Sequence, residues 1–171
     1  LVLGGARSGK SRVAESARTA LPGPWIYLAT GRAFDTEMHE RNARHKQQRS
    51  QSGWQTVEEP LDVAAVLRQY ATTPVLLDCL TLWLTNLLLA ERDVEGPVQA
   101  LLASLNVRKA PTVMVGNEVG LGIVPQSPLG RRFRDEAGLL HQRLAACMGK
   151  VVFVAAGLPL VLKNTGMPDQ S

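Results

Sequence analysis

Aromatic side chains are scarce in this sequence, eight among 171 residues. Any core must therefore be aliphatic and alanine-rich. They form no cluster of aromatics interleaved with arginines, which argues against a stacking platform for nucleic-acid bases. Cysteine is nearly absent. Cys79 and Cys147 stand far apart in apolar contexts without zinc-type spacing, so a disulfide framework and a structural zinc site are both excluded, and two buried, reduced thiols are expected. Neither sign of charge dominates, since 19 basic against 15 acidic residues leave +4, too little and too scattered for a polyanion-binding surface. Long hydrophobic runs are missing as well. The longest, from Val75 to Ala90, is broken by Asp78, Thr81, Thr85 and Asn86, which a membrane span would not tolerate. No leader-like segment opens the chain, so a cytoplasmic protein is expected. The composition excludes collagen-like and disordered classes, and the length suits one domain over 1–171.

What is there alternates between strand-like and helix-like segments. Apolar runs at Leu1–Leu3, Trp25–Ala29, Val75–Leu77, Thr112–Gly116, Val151–Ala155 and Leu160–Lys163 read as strands. Ser11–Ala20, Asp35–Gln48, Leu80–Glu91 and Leu129–Met148 read as helices, the last opened by Pro125 and Pro128. Lys46–Gly53 reads as a loop, and Asn164–Ser171 as a fraying tail. Fully apolar strands alternating with helices predict an α/β fold, a mostly parallel sheet with helices on both faces.

The sharpest motif is Gly4-Gly5-Ala6-Arg7-Ser8-Gly9-Lys10-Ser11, which fits G-x-x-x-x-G-K-[ST] between a strand and a helix. Gly4 and Gly9 let the backbone turn its N–H groups inward toward phosphate oxygens. The following helix adds the positive end of its dipole. Lys10 supplies a point charge to the β and γ phosphates, and the Ser11 hydroxyl is a magnesium ligand. Such a loop serves kinases, GTPases and motors alike.

Asp78 ends a strand, and a carboxylate at the C-terminal end of a parallel strand faces the ligand crevice. It has two readings there, a magnesium ligand and an N-cap for Leu80–Glu91. Among the three histidines, His45 stands out. On a helix, Arg41, His45 and Arg49 share one face, with Arg44 and Lys46 nearby. Three readings are open on spacing alone: a solvated basic face, a phosphate-binding face, and a nucleophile whose neutral imidazole is favoured by the adjacent cations. His39 reads as a surface residue, and His141 as a satisfied structural histidine. Asn117-Glu118 followed by Gly120 and Gly122 forms a second glycine-rich turn at a strand end, with Arg131, Arg132 and Arg134 on a solvated helix face beyond it.

These residues together resemble the bifunctional adenosylcobinamide kinase / adenosylcobinamide-phosphate guanylyltransferase family of cobalamin biosynthesis. The resemblance runs in order through the phosphate loop, Ala29-Thr30, His45-Lys46, Arg49, Trp54-x-Thr56-x-Glu58, Leu76–Asp78, Asn117-Glu118-Val119-Gly120-x-Gly122-Ile123-Val124-Pro125 and Arg132-Phe133-Arg134-Asp135. It implies a RecA-like P-loop sheet and two transferase reactions. In the first, ATP or GTP phosphorylates the aminopropanol hydroxyl of adenosylcobinamide. In the second, GMP passes from GTP to that phosphate by way of a guanylylated histidine, which matches His45. It further implies Mg2+, a homotrimer, and guanine-nucleotide contacts at Gly4–Ser11, Ala29, Thr30, Gly31, Lys46, Gln47, Gln48, Arg49, Glu58 and Asp78. Ser50 stands where the family usually has proline, and His141 where asparagine is common. The residues alone also admit a single-activity P-loop kinase for another small alcohol, in which His45 only binds phosphate.

Overall fold

A computed structural model describes residues 1–16, 23–31 and 53–165. The helix expected over Asp35–Gln48, the loop expected at Lys46–Gly53 up to residue 52, and His39 therefore lie outside the described residues, as do His45, Lys46, Gln47, Gln48 and Arg49.

The strands are β1 (Val2–Gly4), β2 (Trp25–Ala29), β3 (Trp54–Glu58), β4 (Val75–Asp78), β5 (Thr112–Asn117), β6 (Lys150–Ala155) and β7 (Leu158–Asn164). The helices are α1 (Lys10–Ser16), α2 (Val63–Gln69), α3 (Leu80–Leu89), α4 (Glu95–Val107) and α5 (Pro128–Cys147). One sheet joins the strands in the order β3-β2-β4-β5-β1-β6-β7. All pairings are parallel except that of β7, which folds back antiparallel on β6. This is the expected α/β fold with a mostly parallel sheet, with β5 alone between the phosphate-loop strand β1 and the Asp78 strand β4.

Strand alternation divides the core between the two faces of the sheet. Leu1, Leu3, Ile26, Leu28, Val75, Leu77 and Met114 point to one side, where α2, α3, α4 and α5 cover them with residues such as Leu67, Trp83, Leu84, Leu101 and Leu140. Val2, Tyr27, Leu76, Val115 and Val154 point to the other, where Ala14 of α1 packs. Three of the few aromatics gather on this second face, with Trp54 edge-on to both Trp25 (5.6 Å) and Tyr27 (5.8 Å) across the β2–β3 pair.

Two polar clamps hold the helical layer. Arg108, at the end of α4, donates to the carbonyls of Leu67, Tyr70 and Thr73 and to Thr112 Oγ1, which satisfies the end of α2 and its following turn. Lys163 of β7 donates to the carbonyls of Ala145 and Ala146 in the last turn of α5.

Several expectations change. Trp54–Glu58, Val63–Gln69 and Glu95–Val107 form elements that the sequence reading left unassigned. The last strand starts at Leu158, where Leu160 was expected. The tail is tied down at its start: Asn164 ends β7, and Thr165 hydrogen-bonds the Gly149 carbonyl through both its N–H and its hydroxyl. Cys79 is buried as expected, but Cys147 is exposed in the last turn of α5. Among the described residues no helix is long and apolar enough to cross a membrane.

Candidate functional site

The phosphate loop leaves β1 at Gly4, beside Asn117 of β5 and Val154 of β6. The close fit there requires glycine. A Cβ on Gly4 would lie 2.4 Å from the Val154 carbonyl oxygen and 2.7 Å from Ser8 Oγ. Gly9 has φ +93°, a left-handed conformation that glycine adopts without steric cost. Inside the loop, Lys10 is buried and its Nζ donates to the Gly5 carbonyl at 3.1 Å. The ammonium thus lies across the turn whose N–H groups it would share with a phosphate. Ser8 Oγ is buried and has no hydrogen-bond partner among the described residues. An orphaned hydroxyl beside a cradle that a methyl group would fill fits an anionic oxygen as the missing partner.

The loop is buttressed from outside by the β6–β7 turn. Ala156 and Gly157 take φ of +51° and +80°, the two positive values that a tight two-residue hairpin requires. The Gly157 N–H then donates to the Ser8 carbonyl at 2.8 Å. Gly157 Cα would be only 3.2 Å from a Cβ on Gly9.

The second half of the crevice is set by register. Glu58, Ala29 and Asp78 stand abreast at the C-terminal ends of β3, β2 and β4, with Val115 of β5 beside Asp78. Asp78 Oδ2 accepts the Tyr27 hydroxyl at 2.5 Å, on the sheet face that α1 covers. Asp78 is not the cap of α3. Cys79 takes that position, and its Sγ accepts the Leu82 N–H, because extended backbone at Cys79 aims the thiol, and not the carboxylate, back over the first turn. Burial pushes the Cys79 thiol above its ordinary range.

Thr30 locks this corner. Its hydroxyl donates to the Cys79 carbonyl (2.8 Å) and accepts the Cys79 N–H (2.9 Å), while its own N–H donates to the Asp78 carbonyl. Asn86 donates to the Thr30 carbonyl at 2.7 Å and also to that of Pro60. Thr30 is fully buried, and its hydroxyl and N–H fix the end of β4 while its carbonyl ties that corner to α3. Ala29 is half-buried, Gly31 packs against Leu82 of α3, and Glu58 is exposed. Gly5, Ala6 and Arg7 form the outer part of the loop, with Arg7 itself in the left-handed region. Ser11 lies in the first turn of α1.

One carboxylate and one hydroxyl, Asp78 and Ser11, are hard oxygen donors of the kind that holds Mg2+ when phosphates complete the shell. No cluster of three or more acidic, histidine or cysteine side chains that could hold a metal ion occurs among the described residues. Two contributors went unread in the sequence. Tyr27 is found only once the β2–β4 register is known. The Ala156-Gly157 pair between two apolar runs is a hairpin signal, but nothing in it says that the turn lands on the phosphate loop.

His141 corrects an expectation. It is buried on α5, but its Nε2 has no partner among the described residues and would lie 2.7 Å from a Cβ on Gly116. Burial lowers its pKa, against a smaller upward pull from Glu118. Of the arginines expected on a solvated helix face, Arg131 and Arg132 are exposed, Arg131 reaching back to the carbonyls of Pro125 and Gln126, and only Arg134 is largely covered, beside Asp135.

The sequence model of the family described as "CobU: Cobinamide kinase / cobinamide phosphate guanyltransferase" matches residues 1–162. The bifunctional adenosylcobalamin biosynthesis protein CobP of Pseudomonas aeruginosa is 48% identical over 168 residues, covering 96% of each chain. The bifunctional adenosylcobalamin biosynthesis proteins CobU of Salmonella typhimurium and of Escherichia coli are each 39% identical over 180 residues, covering 95% of this chain and 98% of theirs.

Proposed function

The chain belongs to the cobinamide kinase / cobinamide phosphate guanyltransferase family, and on that premise we propose that it performs both reactions with a single P-loop unit spanning 1–171. The observation that carries this reading is the extent of the family match, which takes in the phosphate loop and His45 alike. In the kinase step the aminopropanol hydroxyl of adenosylcobinamide attacks the γ-phosphorus of ATP or GTP. The nucleoside diphosphate leaves and the hydroxyl loses its proton. In the transfer step a His45 ring nitrogen attacks the α-phosphorus of GTP and pyrophosphate leaves. An oxygen of the cobinamide phosphate then attacks the same phosphorus, the P–N bond breaks, and His45 is restored as adenosylcobinamide-GDP forms. Splitting one transfer into two in-line displacements is the usual gain from a covalent intermediate.

The chain's residues divide this work. Backbone N–H groups from Gly4 to Ser11, with Lys10, hold the β and γ phosphates and balance the charge of the leaving group. Ser11 and Asp78 hold Mg2+, which when bound neutralises phosphate oxygens. The Tyr27 hydroxyl fixes the Asp78 carboxylate, and Thr30 contributes by fixing the backbone behind it. Ala29, Gly31, Glu58, Lys46, Gln47, Gln48 and Arg49 are the remaining guanine-nucleotide contacts of this reading. The protein works as a homotrimer in the cytoplasm, where nucleoside triphosphates are supplied. The apolar edge strand β7, with Leu158, Leu160, Val161 and Leu162 all exposed, supports assembly.

The experiment is incubation with Mg2+ and GTP labelled at the α phosphate, without corrinoid. An acid-labile, base-stable label on the protein is expected, absent in His45→Ala and strongly reduced in Lys10→Ala. Labelling that persists in His45→Ala rules out this nucleophile.

A further inference from the structure

Between β5 and α5 the chain runs through five consecutive uncharged residues, Leu121-Gly122-Ile123-Val124-Pro125. Leu121, Ile123 and Val124 are 82%, 97% and 54% exposed. Single exposed apolar side chains are ordinary, but a consecutive run of them on a surface calls for an occupant.

The run is rooted at both ends. Before it, the Glu118 N–H donates to the Gly4 carbonyl at 3.0 Å, Asn117 Nδ2 donates to Thr81 Oγ1, and Glu118 Oε1 accepts the Gly120 N–H. After it, Pro125 packs against Gly130, where a Cβ would lie 2.8 Å from Pro125 Cβ, and Arg131 donates to the Pro125 and Gln126 carbonyls. The first root is the phosphate loop itself. The second is the rim of an apolar groove of about 270 Å³ between α3 and α5, lined by Leu88, Leu89, Leu129 and Phe133. The apolar run thus joins the phosphate loop at one end, through the Glu118 N–H, and the rim of that groove at the other, through the Pro125–Gly130 contact.

We propose that this loop, Leu121 to Pro125, together with the groove beside it, is the platform on which the corrinoid macrocycle rests while its aminopropanol arm enters the phosphate crevice. The proposal rests on the cobinamide reading above and assigns the part of the substrate that the phosphate loop does not hold. A corrin ring is broad, studded with methyl groups and carries neutral amide arms. It needs an extended aliphatic surface without charge, next to the transferred phosphate but outside the crevice. The loop is aliphatic, uncharged and exposed, and its root is tied to the phosphate loop by the Glu118 N–H. Nucleobase recognition would instead use donors and acceptors in one plane, and the side chains at 121, 123 and 124 carry none.

The test compares wild type with Ile123→Ser and with the Leu121→Ser/Ile123→Ser pair. Cobinamide binding is followed by equilibrium dialysis using corrinoid absorbance, GTP binding by titration, kinase kinetics by KM and kcat, and assembly by light scattering. Loss of each fully covered aliphatic side chain is expected to raise the cobinamide Kd and KM about tenfold. The kcat, GTP affinity and oligomeric mass should be unchanged. Unaltered cobinamide Kd and KM in the double variant overturn the platform while leaving the cobinamide reading intact. A change in oligomeric mass makes the loop a subunit contact and also overturns it. A wild-type protein that neither binds nor phosphorylates cobinamide overturns the functional reading and the platform with it.

Discussion

His141 is a residue whose chemistry is set by where its ring has been placed. Its Nε2 faces the backbone of Gly116, a position where even a methyl group would not fit, and burial favours the neutral imidazole. The folded-state pKa therefore lies below the ordinary 6.5, and the unfolded chain takes up the proton first as pH falls. The stability this side chain contributes is complete above 6.5 and is lost as pH drops through the folded-state value. The loss amounts to at most about 1.4 kcal/mol per pH unit. Urea midpoints at about pH 7.5 and about pH 5.5 should show this drop, and His141→Asn should reduce it. Residues of this kind divide by what the sequence can reveal. The glycines of the phosphate loop are legible because their spacing is itself the constraint. The contact between Tyr27 and Asp78 is not, because 51 residues separate them and only the β2–β4 register brings the phenol to the carboxylate.

Among elements, the junction of β2, β4 and α3 holds the crevice in shape. Thr30→Val keeps the volume but leaves the Cys79 N–H without a partner in a buried corner, while the Cys79 carbonyl keeps only the Trp83 N–H. It should cost about 1–3 kcal/mol in urea unfolding, largely restored by Thr30→Ser, which keeps the hydroxyl. The long strands and helices were legible because each is a sustained apolar or amphipathic run. The missed elements had physical reasons to be missed. Trp54–Glu58 and Val63–Gln69 are short, of five and seven residues. The helix Glu95–Val107 carries Gly96-Pro97 in its first turn, a pair that reads as a break. Proline is tolerated there because first-turn N–H groups have no intrahelical acceptor. Asp93 supplies what remains, as its carboxylate accepts the Gly96 N–H at 2.9 Å, and such backbone bonds hold its pKa low.

For the molecule as a whole, the sheet has one strongly apolar edge, the one on which the proposed assembly rests. Four large aliphatic residues of β7 are exposed, and the strand's outer hydrogen-bonding side faces away from β6. On the proposed homotrimer, replacing Leu160 and Leu162 together with lysine should leave monomers in light scattering, with the cooperative unfolding of the subunit retained. A trimer that persists would exclude β7 as the contact. The parallel order of the sheet was legible from apolar strands alternating with helices, whereas the reversal of its last strand was not. The tip of that reversal bears on how the protein is handled. A two-residue hairpin turn is normally where a chain best accepts a tag, a loop graft or a new pair of termini. Here the tip is seated on the Ser8 carbonyl and against Gly9, so an insertion between Ala156 and Gly157 would push on the nucleotide cradle. Labels and fusion points belong elsewhere on this protein, and a probe deliberately placed at that tip would report on the phosphate loop from the outside.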